Sequence, residues 1–280
     1  MRKLAFLPLL MLFVLGVCSQ NLPTGANERE TPKFYRGDEK FAAAFEPYRA
    51  HFVFENQVAG FDLFSLNMAT KIVETESGWE DTFSIFLPFR NESLQVLRII
   101  SEIDQKTALL KKITYKYSEN TDEYVFDDAK ITLSQQQNGK IKQFVFDNRE
   151  KIYPCSYSTA FYALLPLEEN FSASFACFIP ETGGKPKLSF HKMTFKVVKT
   201  ESILTVQGTF ECYKLESRSD RIADPSDKKP SAKNEKLADM SVKNLQKANF
   251  GTVWIDKKTH KLIKAEVDSK MGAVSIIIGK

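Results

Sequence analysis

The sequence predicts a mainly β protein, an antiparallel meander of many strands with a few short helices. Apolar and polar residues alternate with a period of two from residue 50 to the C-terminus, which sorts side chains onto the two faces of a sheet. Turn chemistry separates these runs at short intervals, and Asn138-Gly139 is the strongest hairpin signal in the chain. A third observation is an echo: Ile103-Asp104-Gln105-Lys106-Thr107 and Ile255-Asp256-Lys257-Lys258-Thr259 share the pattern I-D-x-K-T-x-x-L-x-K. It reads either as two similar hairpins in one sheet or as two exposed turns drifting independently towards Asp, Lys and Thr.

The chain opens with Arg2 and Lys3, an apolar core over 4–17 and then small or polar residues, the plan of a signal peptide spanning 1–19. The expected protein is therefore exported. Two processing readings stand side by side. Val17 and Ser19 suit an ordinary cut that releases Gln20, whereas Leu15-Gly16-Val17-Cys18 resembles a bacterial lipobox with Cys18 as the lipidation site. The apolar core is shorter than the ~20 residues of a membrane span, and no later stretch is apolar enough, so no transmembrane span is expected in the mature protein.

A flexible leader follows over 20–33, then a single curved-sheet domain over 34–280. A short helix is expected at 38–45, capped by Asp38 and stopped by Pro47. Strands are expected at 50–55, 61–75, 79–87, 94–103, 109–117, 125–133 and 141–146. Several carry apolar residues in both registers, as in Phe61 to Met68, which implies a sheet covered on both faces. The cover is expected at 156–165, where Tyr157, Phe161 and Leu164 or Leu165 fall at helical spacing between a Ser156 or Ser158 cap and Pro166. Strands resume at 171–179, 187–199 and 203–215, the first two separated by Gly183-Gly184. An inserted charged loop over 216–249, with a helical turn or two at 237–245, precedes a final meander of 250–255, 262–267 and 273–278.

The net charge is +4, or +2 once Arg2 and Lys3 leave, with basic and acidic residues interleaved. No stripe of Lys or Arg is present to neutralise phosphates, so no nucleic-acid partner is expected. Beyond the leader remain Cys155, Cys177 and Cys212. The expected disulfide joins Cys177 to Cys212, both in strand-like runs; the other reading is three cysteines buried as small hydrophobes.

His51, His191 and His260 are scattered and none has metal-ligand spacing, so no metal and no cofactor is expected. A hydrolase reading would enlist Cys155 with His191, since a thiol needs a base to become a nucleophile, but Pro154-Cys155-Ser156 matches no nucleophile signature. Catalytic residues are accordingly expected to be none. Asn91-Glu92-Ser93 and Asn170-Phe171-Ser172 fit the glycosylation triplet, which has meaning only in a eukaryotic secretory pathway. The 23 phenylalanines read as an apolar groove between sheet and helix or as ordinary core.

The order of signal peptide, long meander, the helix at YPCSYSTAFYALLPL, the strand VQGTFECYKLE and then VWIDKKTHKLIKAEV resembles a family of secreted bacterial domains of unknown function grouped with the outer-membrane lipoprotein carriers LolA and LolB. The resemblance runs from about residue 50 to the end, and the loop over 216–249 is longer than the family usually shows. It implies a strongly curved antiparallel sheet, an incomplete LolA-like barrel closed by helices over an apolar concave face. It brings no catalytic residues. It implies a periplasmic or outer-membrane-associated protein of a Gram-negative bacterium. The expected function is to bind a hydrophobic ligand, an acyl chain or a lipoprotein, with Phe64, Leu66, Phe83, Ile85, Tyr157, Phe161 and Trp254 lining the groove. The alternative is a structural module of the envelope, or one that binds an envelope protein.

Overall fold

The computed structural model describes residues 48–55, 62–89, 92–148, 150–154, 158–181, 187–222, 251–269 and 272–279. The expected signal peptide, leader and 38–45 helix lie outside them, as do the Gly183-Gly184 turn and most of the charged loop with its 237–245 helix. The described chain is mainly β. In order it forms β1 (Tyr48–Glu55), β2 (Asp62–Thr75), β3 (Gly78–Phe89), β4 (Glu92–Asp104), β5 (Leu110–Tyr117), β6 (Asn120–Phe126), β7 (Lys130–Gln137) and β8 (Lys140–Asp147). A short helix α1 (Thr159–Leu164) then precedes β9 (Ser172–Glu181), β10 (Lys187–Thr205), β11 (Gly208–Arg221), β12 (Gly251–Asp256), β13 (Leu262–Ser269) and β14 (Gly272–Gly279).

Every strand pairs antiparallel with its neighbour in one open ladder of fourteen, ordered β8-β7-β6-β5-β4-β3-β2-β1-β14-β13-β12-β11-β10-β9. β1 meets β14 in the middle, and β8 and β9 form the two ends. Asn138-Gly139 makes the hairpin its residues demand, with φ of 50° and 74°, the left-handed pair of a type I′ turn.

Three expected boundaries move. The stretch 125–133 is not one strand but the end of β6 and the start of β7. The Asp127 carboxylate accepts the N–H groups of Ala129 at 2.8 Å and Lys130 at 2.5 Å, closing a side-chain turn that apolar alternation conceals. The break expected between 199 and 203 is absent. β10 runs through it, absorbing an irregularity between Val197 and Lys199 as a bulge, and reverses only at Val206-Gln207, where Thr205 Oγ1 donates to the Gly208 carbonyl at 3.2 Å. β11 likewise continues to Arg221, past the expected start of the charged loop, because β10 supplies partners for it as far as His191.

The echo in the sequence is a structural repeat. Asp104 Oδ1 accepts from the N–H of Thr107 at 2.8 Å and from its hydroxyl at 2.9 Å. Asp256 Oδ2 accepts from the N–H of Thr259 at 2.8 Å and from its hydroxyl at 2.6 Å. The next residue in each turn, Ala108 or His260, is left-handed at φ 58° or 56°, and its N–H donates to the aspartate's own carbonyl at 2.9 Å in both. A bulge sits one residue before each aspartate, between Glu102 and Ile103 and between Trp254 and Ile255. Two strands earlier in each case, Thr75 and Thr205 donate through Oγ1 to Gly78 and Gly208 across matching hairpin turns. The unit β2 to β5 thus recurs as β10 to β13. Gly78 is needed for close approach: a Cβ there would lie 1.8 Å from the Ile103 carbonyl oxygen.

The half of the ladder from β9 to β13 is covered on both faces. Its odd-numbered side chains on β9 and β10, Phe175, Cys177, Met193 and Phe195, pack with Phe161 and Leu165 of the α1 region and with Tyr153. Phe178 on the opposite face joins Ile113, Tyr124, Ile131 and Leu133 of β5 to β7, with Phe178 ring centroids 4.9 Å from Tyr124 and 5.1 Å from Phe126. Beyond β8 the chain ties the ends together, as Ile152 accepts from the Leu110 N–H at 2.9 Å and pairs in parallel with Ala176 of β9.

Loss of either aspartate leaves backbone N–H groups of a tight turn without their acceptor. Asp104→Ala and Asp256→Ala are each expected to cost about 1–2 kcal/mol, measured by urea denaturation of the purified variants. The Asp104 contribution should be lost in acid. Burial works to raise its carboxyl, but the Lys111 ammonium, Thr107 and the Lys106 N–H outweigh it and hold it well below the usual carboxylate range. A depressed folded-state value gives stability that is present above about pH 4 and disappears as pH falls below it, so the gap between wild type and Asp104→Ala narrows in acid.

Candidate functional site

α1 is too short to persist alone, so its ends are held from the sheet. At its N-terminus Ser158 is the cap, accepting from the Phe161 N–H at 3.1 Å, as the serine-rich stretch before it predicts. Asp81 of β3 in turn accepts from the Ser158 hydroxyl at 2.6 Å and the Ala160 N–H at 2.9 Å. Asp81 is 2% exposed and its second oxygen has no hydrogen-bond partner among the described residues. Burial pushes its carboxyl up to about 6 against the pull of these donors. Near the C-terminus of the helix, buried His260 places Nδ1 3.2 Å from the Ala163 carbonyl; since a carbonyl only accepts, Nδ1 carries the proton. Ala108, the counterpart of His260 in the other repeat, packs with Ala160 and Leu164. Both copies of the repeated turn therefore rest on one helix.

Of the expected groove residues, those described fall in two clusters on opposite faces of the sheet. Ile85 and Trp254, at 0% and 3% exposure, share the core cluster that Phe83 flanks, but they are packed by the chain itself. Trp254 Nε1 donates to Glu201 at 2.5 Å, and Lys214 and Lys264 stand over its ring at 5.2 and 4.7 Å. Phe161, fully buried, belongs to the cluster on the other face of the sheet. Phe64 and Leu66 fall on β2 outside the described side chains, and Tyr157 and Cys18 lie outside the described residues.

The expected disulfide is not formed. Cys177 stands opposite His191 and Cys212 opposite Glu201, ten positions apart along β10. At ~3.3 Å per residue that is roughly 30 Å, against the ~7 Å a disulfide tolerates. Burial, with help from Asp256, pushes the Cys212 thiol up to about 12, so it stays protonated at neutral pH. His191 is 2% exposed with Nδ1 3.1 Å from Ser219 Oγ, and Cys155 lies outside the described residues. Among the described residues no group of three or more His, Cys, Asp or Glu is placed to hold a metal ion. No helix among them is long and apolar enough to cross a membrane.

Half-buried apolar side chains flank the core around Ile85 and Trp254 at several places, Phe83 of β3 and Phe210 of β11 among them, and one group lies on strands near the two ends of the ladder. Phe126, Phe144 and Phe146 on β6 and β8, with Leu188 and Phe190 on β10, flank the core on its partly open side. Cross-strand pairing sets Phe126, Ile131 and Phe146 in one row and Ile113, Tyr124, Leu133 and Phe144 in the next. Both rows end on β8 in a half-buried phenylalanine, next to a fully buried residue of β7, Ile131 or Leu133. A third row on the same face, Tyr115, Asp122, Gln135 and Lys142, is polar at its open end. There Asp122 accepts from the Tyr117 hydroxyl at 2.8 Å and from Gln135 at 3.2 Å, and burial raises its carboxyl despite both donors. The sequence reading missed this seam because strand order, not alternation, decides which strands end the ladder.

The Asp81 anchor gives a pH signature. A folded-state value raised from 3.8 to about 6 means the native state holds this proton more tightly than the unfolded chain. The contribution is therefore most favourable below pH 4 and is lost as pH rises through 6. Asp81→Asn, which is neutral throughout, is expected to gain about 2 kcal/mol relative to wild type between pH 4 and pH 7, measured by denaturant titration at both.

The chain belongs to the protein family of unknown function DUF3108, whose model matches residues 48–277. No curated protein and no solved structure matches it.

Proposed function

We propose that the protein binds an apolar chain, an acyl group or the lipid of a lipoprotein, in the seam between β6–β8 and β9–β10, and carries out no chemistry on it. The observation that carries this reading is the set of half-buried aromatic side chains Phe126, Phe144, Phe146 and Phe190 on the strands nearest the open ends of the ladder. Each methylene they cover contributes about 0.8 kcal/mol, so a chain of a dozen carbons needs no charged anchor. The open antiparallel sheet fits the resemblance to the lipoprotein carriers LolA and LolB. The leader over 1–19 suits an exported protein working in the periplasm or at the outer membrane, with Cys18 either removed or acylated. A second reading, a structural or partner-binding module of the envelope, draws on Ile85 and Trp254, which fill the centre of the core with the protein's own side chains.

Native mass spectrometry of the mature protein from its own periplasm, followed by organic extraction, separates the two. The ligand reading expects a stoichiometric lipid adduct that Phe144→Thr with Phe146→Thr abolishes. Ile85→Ala should lose about 3 kcal/mol of stability yet keep the adduct. A clean protein mass, with no uptake on titration with a long-chain fatty acid or a diacylated lipopeptide, overturns the ligand reading and favours the structural one.

A further inference from the structure

The two ends of the ladder are treated differently. β9 has its outer edge engaged by the chain itself: Ile152 pairs with Ala176, the Tyr153 N–H donates to the Ala176 carbonyl at 2.8 Å, and Pro180 lies within the strand. β8 has β7 as its one neighbour, and among the described residues no backbone hydrogen bond reaches its outer edge. Its eight residues pair with β7 without a bulge and contain no proline, and the lysines it carries, Lys140 and Lys142, lie on the inner face, leaving the outer face of the edge to Ile141, Gln143 and Val145. On the face turned away from the core, Ile141 and Val145 are 67% and 62% exposed, and Val125 two strands away is 43% exposed.

We propose that β8 pairs with β8 of a second copy, making a twofold homodimer whose sheet runs through the interface. Two antiparallel copies of one strand related by a twofold axis must set each residue opposite one on the same face. The strand reads Lys140-Ile141-Lys142-Gln143-Phe144-Val145-Phe146-Asp147. Centring the axis on Gln143 places Ile141 of each protomer against Val145 of its partner, two apolar pairs that cover the most exposed apolar side chains of the strand. In the same register Lys140 and Lys142, on the inner face, stand opposite Phe146 and Phe144 of the second copy, and Asp147 stands opposite Gly139. A twofold pair consumes both free edges, which leaves nothing for a third copy to extend. The dimer is tested apart from the ligand reading, since it is broken at Ile141 and Val145 on the outer face, whereas the adduct is lost at Phe144 and Phe146 on the inner one.

Sedimentation velocity of the mature protein over a concentration series tests it, together with cysteine cross-linking. A concentration-dependent dimer is expected, its dissociation constant raised at least about tenfold by Ile141→Lys with Val145→Lys, which sets like charges opposite one another. Both positions are exposed in the monomer, so an unchanged melting temperature shows that the variant still folds. Gln143→Cys stands opposite itself at about 5 Å between Cα atoms and should form an intermolecular disulfide under mild oxidant, while Lys142→Cys should not. A monomer at every concentration overturns the proposal. So does a dimer indifferent to the paired lysines, or one in which Lys142→Cys cross-links as readily as Gln143→Cys.

Discussion

The structure depends on the anchoring of a single six-residue helix. α1 has no independent stability, yet it supplies Phe161 and the adjoining Leu165 to the core on one face of β9 to β13. Its position is fixed at one end by a buried carboxylate from β3 and at the other by a histidine from the turn after β12. These contacts reach it from opposite halves of the ladder. In a fourteen-stranded open sheet the ladder hydrogen bonds fix register, and how the halves sit together is set by packing across them, of which the core around Phe178, Tyr124 and Trp254 is one part. The helix and the Ile152 bridge add to it. The electrostatic cost at Asp81 is the consequence: a charge is drawn out of water because its position, on β3 facing the cap, is where the helix needs an acceptor.

The repeat explains why both halves can grip the same helix. A turn in which one aspartate satisfies the N–H and hydroxyl of a threonine three residues on forces the following residue into the left-handed region. That residue is buried in both turns, at 2% and 4% exposure. In one unit it is Ala108, small enough to pack under the helix; in the other it is His260, long enough to reach a helix carbonyl. One backbone device serves two side-chain roles, an apolar contact with Ala160 and Leu164 in one unit and a hydrogen bond to the Ala163 carbonyl in the other.

Much of this was legible in the sequence, and the reasons for the failures are physical. Period-two alternation identified the sheet, and the serine-rich entry with Pro166 beyond identified the helix. The Asp127 turn was hidden because its flanking residues continue the alternation without a glycine to interrupt it, and the run 199–203 looked like a turn because a bulge carries polar residues too. The disulfide expectation failed on length along β10, which strand assignment alone does not reveal. The groove failed for a related reason. Alternation says which face Ile85 and Trp254 occupy; it says nothing of how many neighbours close over that face.

Strand order decides that last point. In an open ladder, a central strand has neighbours on both sides and, where a second layer lies above, its inward residues are sealed, as Ile85, Ile99 and Ile113 are. The strands at the ends lose one neighbour and part of that layer. Ile113 and Phe144 occupy the same cross-strand row, yet the first is fully buried and the second is not, because β5 lies three strands inside the end that β8 forms. Exposed apolar area in this fold is therefore a property of position in the ladder. On β8 exposed apolar side chains coincide with an outer edge that no backbone hydrogen bond reaches among the described residues, so there the seam and the free edge are two faces of one consequence of leaving the sheet open.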